Sequence, residues 1–359
     1  MSLVLQEEID NVRNCLQAMP LTSEALGVEW ITANILNVEE RTKKHSLFWL
    51  LWYADRSSKL ESWLAVLKTS LPDTKFRKII TSLKEKNGEN EFESFIPEIE
   101  VLAYYASKKD NGVSVEYEPN IPNKNNVGDI KLSFGGKEVY LEVTKLFSSE
   151  KERKIDALLH LLGSKIDEIV DNPFYISIGI EESFTENDVM PFVESVQSQV
   201  DKYKHIQEIP ADRIPKFNYN SKGFFMILMR APTGKKGHAG GFFTPAMELT
   251  TAGRLKGKIK DKVKQLPENQ LNVVALDISH HFAHFDDIED AFAGQEGVRI
   301  NVGTGEVTPY RNANGIIHID EGKQIGLIIG FKGFDYENRR KYVNLSATVP
   351  FSDEMVSIL

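Results

Sequence analysis

Two glycines, Gly135-Gly136, separate two short runs of alternating hydrophobicity, 129–134 and 139–143. That pattern predicts a two-residue hairpin, the tightest connection between antiparallel strands. A hairpin turned there puts residues equidistant from the turn opposite each other. Asp129 and Glu142 are such a pair. Directly opposed like charges destabilise a sheet by up to roughly 1 kcal/mol. Glu142 also lies between Leu141 and Val143, in a strand expected to be largely buried. Buried acids are rarely left without a partner. A divalent cation would reverse the sign of the repulsion. Hard oxygen ligands suit Mg²⁺, which takes one or two carboxylates and keeps several waters. The plainer alternative is a solvent-facing hairpin with chance acids at its rim.

The hairpin sits in a recognisable order of elements. Residues 1–88 read as all helix, with apolar stripes at Ile9, Val12, Leu16 and Met19, and again at Leu60, Trp63, Leu64 and Leu67. The polar stretch 86–90 marks a boundary. Phe92, Phe95, Ile99, Leu102 and Ala106 then form one helical face, and 113–117 alternates as a strand before the hairpin. Further on, 152–170 and 189–203 read as helices, and 175–180 and 224–229 as strands. The stretch 210–219 reads as irregular. A basic helix at 254–266 precedes a strand at 272–278. The remainder, 299–331, reads as short strands and turns.

The basic helix carries two stripes. Ile259, Val263 and Leu266 are apolar at i, i+4, i+7; Lys258, Lys262 and Gln265 repeat that spacing one position earlier. The polar stripe therefore runs along the edge of the buried face. A solvated basic face is the alternative.

The chain has 359 residues, 41% hydrophobic and 26% charged, which suits two or three packed units. Its net charge of -9 argues against coating or packaging nucleic acid. It argues less against an acidic centre with local basic contacts. One cysteine, Cys15, permits no internal disulfide and fits a reducing compartment. The N-terminus lacks a signal-peptide pattern. The apolar run 47–54 is far below the roughly 20 residues that span a bilayer. A cytoplasmic protein with no membrane partner is expected.

Gly128-Asp129 and then Tyr140-Leu-Glu142-Val-Thr144, preceded by a helix with Glu98-Ile99 and a short strand, resemble the PD-(D/E)XK nuclease superfamily. The resemblance covers roughly residues 91–146 and, more loosely, 254–279. It implies a restriction-endonuclease-like α/β fold over 89–359: a central mixed sheet flanked by helices, with an elaboration at about 148–246 and the all-helical region 1–88 before it. It also implies metal-dependent phosphodiester hydrolysis of nucleic acid, DNA first, with Mg²⁺ or Mn²⁺ held by Asp129, Glu142, the Val143 carbonyl and a helix glutamate. Glu98 is nearer the apolar stripe than Glu100 and is the choice for that glutamate; otherwise both are surface acids. A homodimer is compatible with this reading.

Two departures matter. Gly128 stands where the family has proline, and Thr144 where it has its signature lysine. The superfamily tolerates a lysine moved to a neighbouring helix. That makes Lys262 the first candidate, with Lys258 and Gln265 beside it. Strand alternation points Lys145 away from Glu142. Loss of the lysine also permits a catalytically inactive nuclease-fold protein that binds or regulates.

Other features carry less. His280, His281 and His284 could supply a zinc pair for a hydrolase, or be exposed turn residues. Gly234-Lys-Lys-Gly is not a phosphate-binding P-loop, since no Ser or Thr follows its lysines. It is read as a mobile backbone-touching loop or an ordinary exposed one. Trp49, Trp52 and Trp63 are read as core rather than as base-stacking platforms.

Overall fold

The computed structural model describes residues 3–37, 44–122, 124–206, 214–232, 235–243, 250–279 and 283–359. The chain begins with helices α1 (Leu3–Gln17), α2 (Pro20–Leu26), α3 (Val28–Ile31), α4 (Leu47–Trp52), α5 (Ala54–Ser70) and α6 (Asp73–Glu85). Helix α7 (Glu89–Ala106) leads into strands β1 (Ser114–Tyr117), β2 (Ile130–Phe134) and β3 (Lys137–Lys145). The β2–β3 turn is Gly135-Gly136, both at positive φ (55° and 72°). Glycine supplies that conformation without steric cost, and two such residues match the right-handed twist of the flanking strands.

Contacts divide the chain into two compact units, Ser148–Thr250 forming the second. It contains α8 (Glu150–Asp167), β4 (Phe174–Ile180), α9 (Glu186–Tyr203), β5 (Lys216–Tyr219), β6 (Gly223–Arg230) and β7 (Ala239–Phe243). Its sheet has the order β5-β6-β4-β7. Leu162 and Ile166 of α8, Phe192 and Val196 of α9, and Ile176, Ile178 and Phe225 of the sheet share its core. Strand β5 falls in a stretch read from sequence as irregular.

The first unit resumes with α10 (Thr250–Val263), β8 (Leu271–Asp277), α11 (Phe285–Ala293), β9 (Glu296–Ile300), β10 (Val307–Arg311), β11 (Leu327–Phe331), β12 (Arg340–Val343) and α12 (Asp353–Ile358). Its mixed sheet has the order β1-β2-β3-β8-β11-β12. Strands β3, β8 and β11 run parallel; β1, β2 and β12 join antiparallel. The parallel strands are buried on both faces, which explains their nearly continuous apolar sequences. Alternation divides them between two cores. Val139, Leu141, Val143, Val273 and Ala275 face one that includes α7 and the N-terminal helices. Tyr140, Val274, Leu276 and Ile328 face the other, with Leu255, Ile259, Val263 and Leu266. The helices before residue 88 thus share a core with the sheet. Strands β9 and β10 form a separate two-stranded ribbon. Among the described residues no helix is long and apolar enough to cross a membrane.

Candidate functional site

The pairing of β2 with β3 runs from Phe134↔Lys137 to Ile130↔Leu141. One step further out, it sets Asp129 opposite Glu142. Each acid also engages the other strand's backbone. Asp129 Oδ2 accepts from the Val143 amide at 2.8 Å, and Glu142 Oε1 accepts from the Asp129 amide at 3.2 Å. Val143 therefore enters the site through its backbone, while its side chain lies in the α7-side core.

Gly128 has a local reason not to be proline. Its N–H donates to the Pro119 carbonyl at 2.9 Å, a bond proline cannot make. A Cβ there would also stand 2.7 Å from Ile121 Cδ1 and 3.2 Å from Glu142 Oε1. Glycine lets the glutamate close down on the strand entrance.

Helix α10 supplies the cation. Ile259, Val263 and Leu266 are buried in the second core, so the neighbouring stripe borders the sheet. Lys262 Nζ donates to Glu142 Oε2 at 2.8 Å, Asp129 Oδ2 at 3.2 Å and Gln265 Oε1 at 3.2 Å. Those contacts occupy all three ammonium protons. The helix ends at Val263, short of the expected 266. Turn bonds from Gln265 N to Lys262 O and from Leu266 N to Val263 O carry the stripe onward. Lys258 is exposed and has no carboxylate partner among the described residues, so it is not brought to the pair.

The charges do not balance locally. Glu142 is only 1% exposed, and burial raises its pKa to about 7, with Asp129 adding to the rise and Lys262 opposing it. Burial alone would lower the Lys262 ammonium, but Asp129 and Glu142 outweigh it and hold the value above the usual one. Glu98, on α7, is raised to about 8, first by burial and then by the charge of Asp129. Its carboxylate receives the Tyr117 hydroxyl, a β1 partner the sequence reading missed. Among the described residues no three His, Cys, Asp or Glu side chains are gathered closely enough to hold a metal by themselves. Glu98 is thus within electrostatic reach of the pair but not in contact with it.

Other expectations resolve differently. Lys145 does point away from Glu142, and its ammonium pairs with Glu93 at 2.7 Å. Glu100 is not a surface acid. It is 4% exposed and accepts the amides of Phe334 at 2.8 Å and Tyr336 at 2.9 Å. Sequence gave no sign of this, because the loop it fastens lies 234 residues away. Burial raises Glu100 to about 7. Asp277, also missed, ends the wholly buried β8. It accepts the amides of Ser279 and Gly333, and burial raises its pKa. Its signal was an acid closing a run of apolar residues.

His280 and His281 lie outside the described residues. His284 is exposed and caps α11, its amide donating to Asp287 at 2.8 Å. Gly234 is also outside, and the Lys236 ammonium reaches the Asp167 carbonyl. Trp63 stacks on Phe334 with centroids 5.5 Å apart, whereas Trp49 remains 36% exposed. Comparison with known protein families, with curated proteins and with solved structures finds no match to this chain.

Proposed function

We propose that the first unit is a divergent PD-(D/E)XK-type core, restriction-endonuclease-like in fold, that hydrolyses phosphodiester bonds of nucleic acid, with DNA the first substrate to test. One observation carries the reading: Asp129 and Glu142 face each other across a hairpin, and Lys262, from a distant helix, lies within 3.2 Å of both. The order α7, β1, β2–β3 hairpin, α10 and a parallel β8 supports it.

The donor set fits a small divalent cation. Two acids share one ammonium, with Glu98 in electrostatic reach. Burial together with the charge of Asp129 raises Glu98 and Glu142, a rise that a bound cation would oppose. Mg²⁺ or Mn²⁺ would be held by Asp129, Glu142 and the Val143 carbonyl, with Glu98 behind them. Such an ion, when bound, lowers the pKa of a water and polarises a phosphate. The chain's own groups do the rest. Lys262 is placed to stabilise charge developing on the phosphate. Gln265 restrains the lysine, and Tyr117 orients Glu98.

A second reading rests on the same lysine. Its three protons are all engaged inside the protein and Thr144 offers no substitute, which suits a nuclease-fold module that binds without cutting. Incubation of supercoiled plasmid and single- and double-stranded oligonucleotides with Mg²⁺ or Mn²⁺ separates the two. Cleavage by wild type that is lost in Asp129→Ala and Glu142→Ala supports the enzyme. Binding without cleavage supports the module, and cleavage surviving both substitutions overturns the assigned site.

A further inference from the structure

A cleft of about 550 Å³ opens in the first unit between α4, α7 and the C-terminal ends of β3 and β8. Ligands of α/β sheets characteristically bind outside the carboxyl ends of parallel strands, and this volume suits a small organic molecule. Lys145 is the last residue of β3 and Asp277 the last of β8. Both line the cleft.

Its chemistry changes from floor to rim. At the floor, Asp277 accepts from the Ser279 amide at 2.8 Å, the Gly333 amide at 3.0 Å and the Ser279 hydroxyl at 3.2 Å. A carboxylate has about four acceptor positions, so one is left for a donor from a ligand. Beside it, Lys145 pairs with Glu93, whose carboxylate is 43% exposed. At the rim, the Arg56 guanidinium lies 4.6 Å from the Tyr53 ring centroid and 5.2 Å from that of Phe334. Both rings lie against the guanidinium, and its N–H groups have no acceptor among the described residues. A guanidinium with N–H groups left over matches a phosphate. Trp49 also lines the cleft and is 36% exposed, and a partly exposed indole suits a flat heterocycle.

We propose that this cleft is a nucleotide site: an exocyclic amino group points to Asp277 and Glu93, the base lies along Trp49, and the phosphate meets Arg56. The order of donors and acceptors selects the ligand. A fully anionic molecule would meet the floor carboxylates, and a purely apolar one would leave Arg56 unpaired. The site does not depend on hydrolysis at Asp129 and Glu142. The nucleotide has two sources, a free mononucleotide or one unit of a bound strand. Lys145 is three residues along β3 from Glu142, roughly 10 Å at strand rise, but on the other face of the sheet, so a strand held at the carboxylates would reach the cleft only by passing round the ends of β3 and β8.

Calorimetry on the full chain tests this with adenosine monophosphate, inosine monophosphate, inorganic phosphate and a short single-stranded oligonucleotide. Adenosine monophosphate or the oligonucleotide is expected to bind, and Arg56→Gln and Trp49→Ala each to weaken it about tenfold or more. Inosine monophosphate, which lacks the amino group, should bind at least tenfold more weakly than adenosine monophosphate; an adenine-containing oligonucleotide should show the same preference over its hypoxanthine counterpart. Binding by the mononucleotide identifies a free ligand, and binding by the oligonucleotide alone identifies a strand. Mononucleotide binding in the cleft should persist in Asp129→Ala, which separates this site from the hydrolytic one. The proposal is overturned if neither ligand binds, if both variants bind like wild type, or if phosphate alone binds as tightly.

Discussion

The Lys262 ammonium stands 2.8 Å from the Glu142 carboxylate, although the two are 120 positions apart in sequence. Most of that interval is the second compact unit, Ser148–Thr250. The contact joins a strand to a helix on opposite sides of an insertion, and the burial of Glu142 makes it a strong dependence. Removing one partner of a buried ion pair costs about 3–5 kcal/mol, because the other charge is left without compensation.

Lys262→Ala is therefore expected to lower stability at pH 8 by about 3 kcal/mol, less at pH 5.5, where Glu142 can take a proton. It should also reduce any metal-dependent cleavage at least about tenfold. Lys145→Ala, on the other face of β3, should change cleavage much less. Denaturant unfolding at the two pH values and a cleavage time course check both parts; an essential Lys145 with a dispensable Lys262 would contradict the assignment.

The acids give a pH dependence of definite sign. Glu98 at about 8 and Glu142 at about 7 both lie above the ordinary carboxylate value. A carboxyl raised in the folded state binds its proton more tightly there than in the unfolded chain. It favours folding below the unfolded value near 4.5, and that contribution is lost as pH rises through the folded value. Without metal, stability should fall between about pH 4.5 and 8, once other groups are subtracted by comparison with Glu98→Gln. The glutamine can still accept from Tyr117 and should flatten the upper part of the fall. Identical pH profiles for wild type and Glu98→Gln would remove this glutamate from the coupled group.

Glu100 fastens the loop after β11 through two backbone amides. Glu100→Ala leaves both without an acceptor, and each unsatisfied buried donor costs about 1–3 kcal/mol. A clear drop in melting temperature is expected, with faster hydrogen exchange at Phe334 and Tyr336. Unchanged exchange at those amides would show that the loop is held otherwise.

The parts legible in sequence were those fixed by local pattern. Gly135-Gly136 determined the turn, the turn determined the register, and the register set Asp129 against Glu142. The 3.6-residue spacing of Ile259 and Val263 placed Lys262 at the edge of a buried face. What sequence could not supply was tertiary. Glu100 looks like Glu98 in the one-dimensional pattern, yet one fastens a remote loop and the other meets the Tyr117 hydroxyl. Lys258 shares the stripe of Lys262 but lies a turn earlier and remains in solvent. Strand β12 was not read because its burial comes from pairing with β11, and its sequence, Arg-Lys-Tyr-Val, carries little apolar signal of its own.

The most direct measurement is diffraction from crystals soaked in Mn²⁺, using its anomalous signal, with calorimetry on the same protein. The expected result is a peak between Asp129 and Glu142, displacing Lys262 from at least one of them, and loss of Mn²⁺ binding in Asp129→Ala and Glu142→Ala while the fold persists. A peak elsewhere, or Mn²⁺ affinity unchanged in both variants, would contradict it.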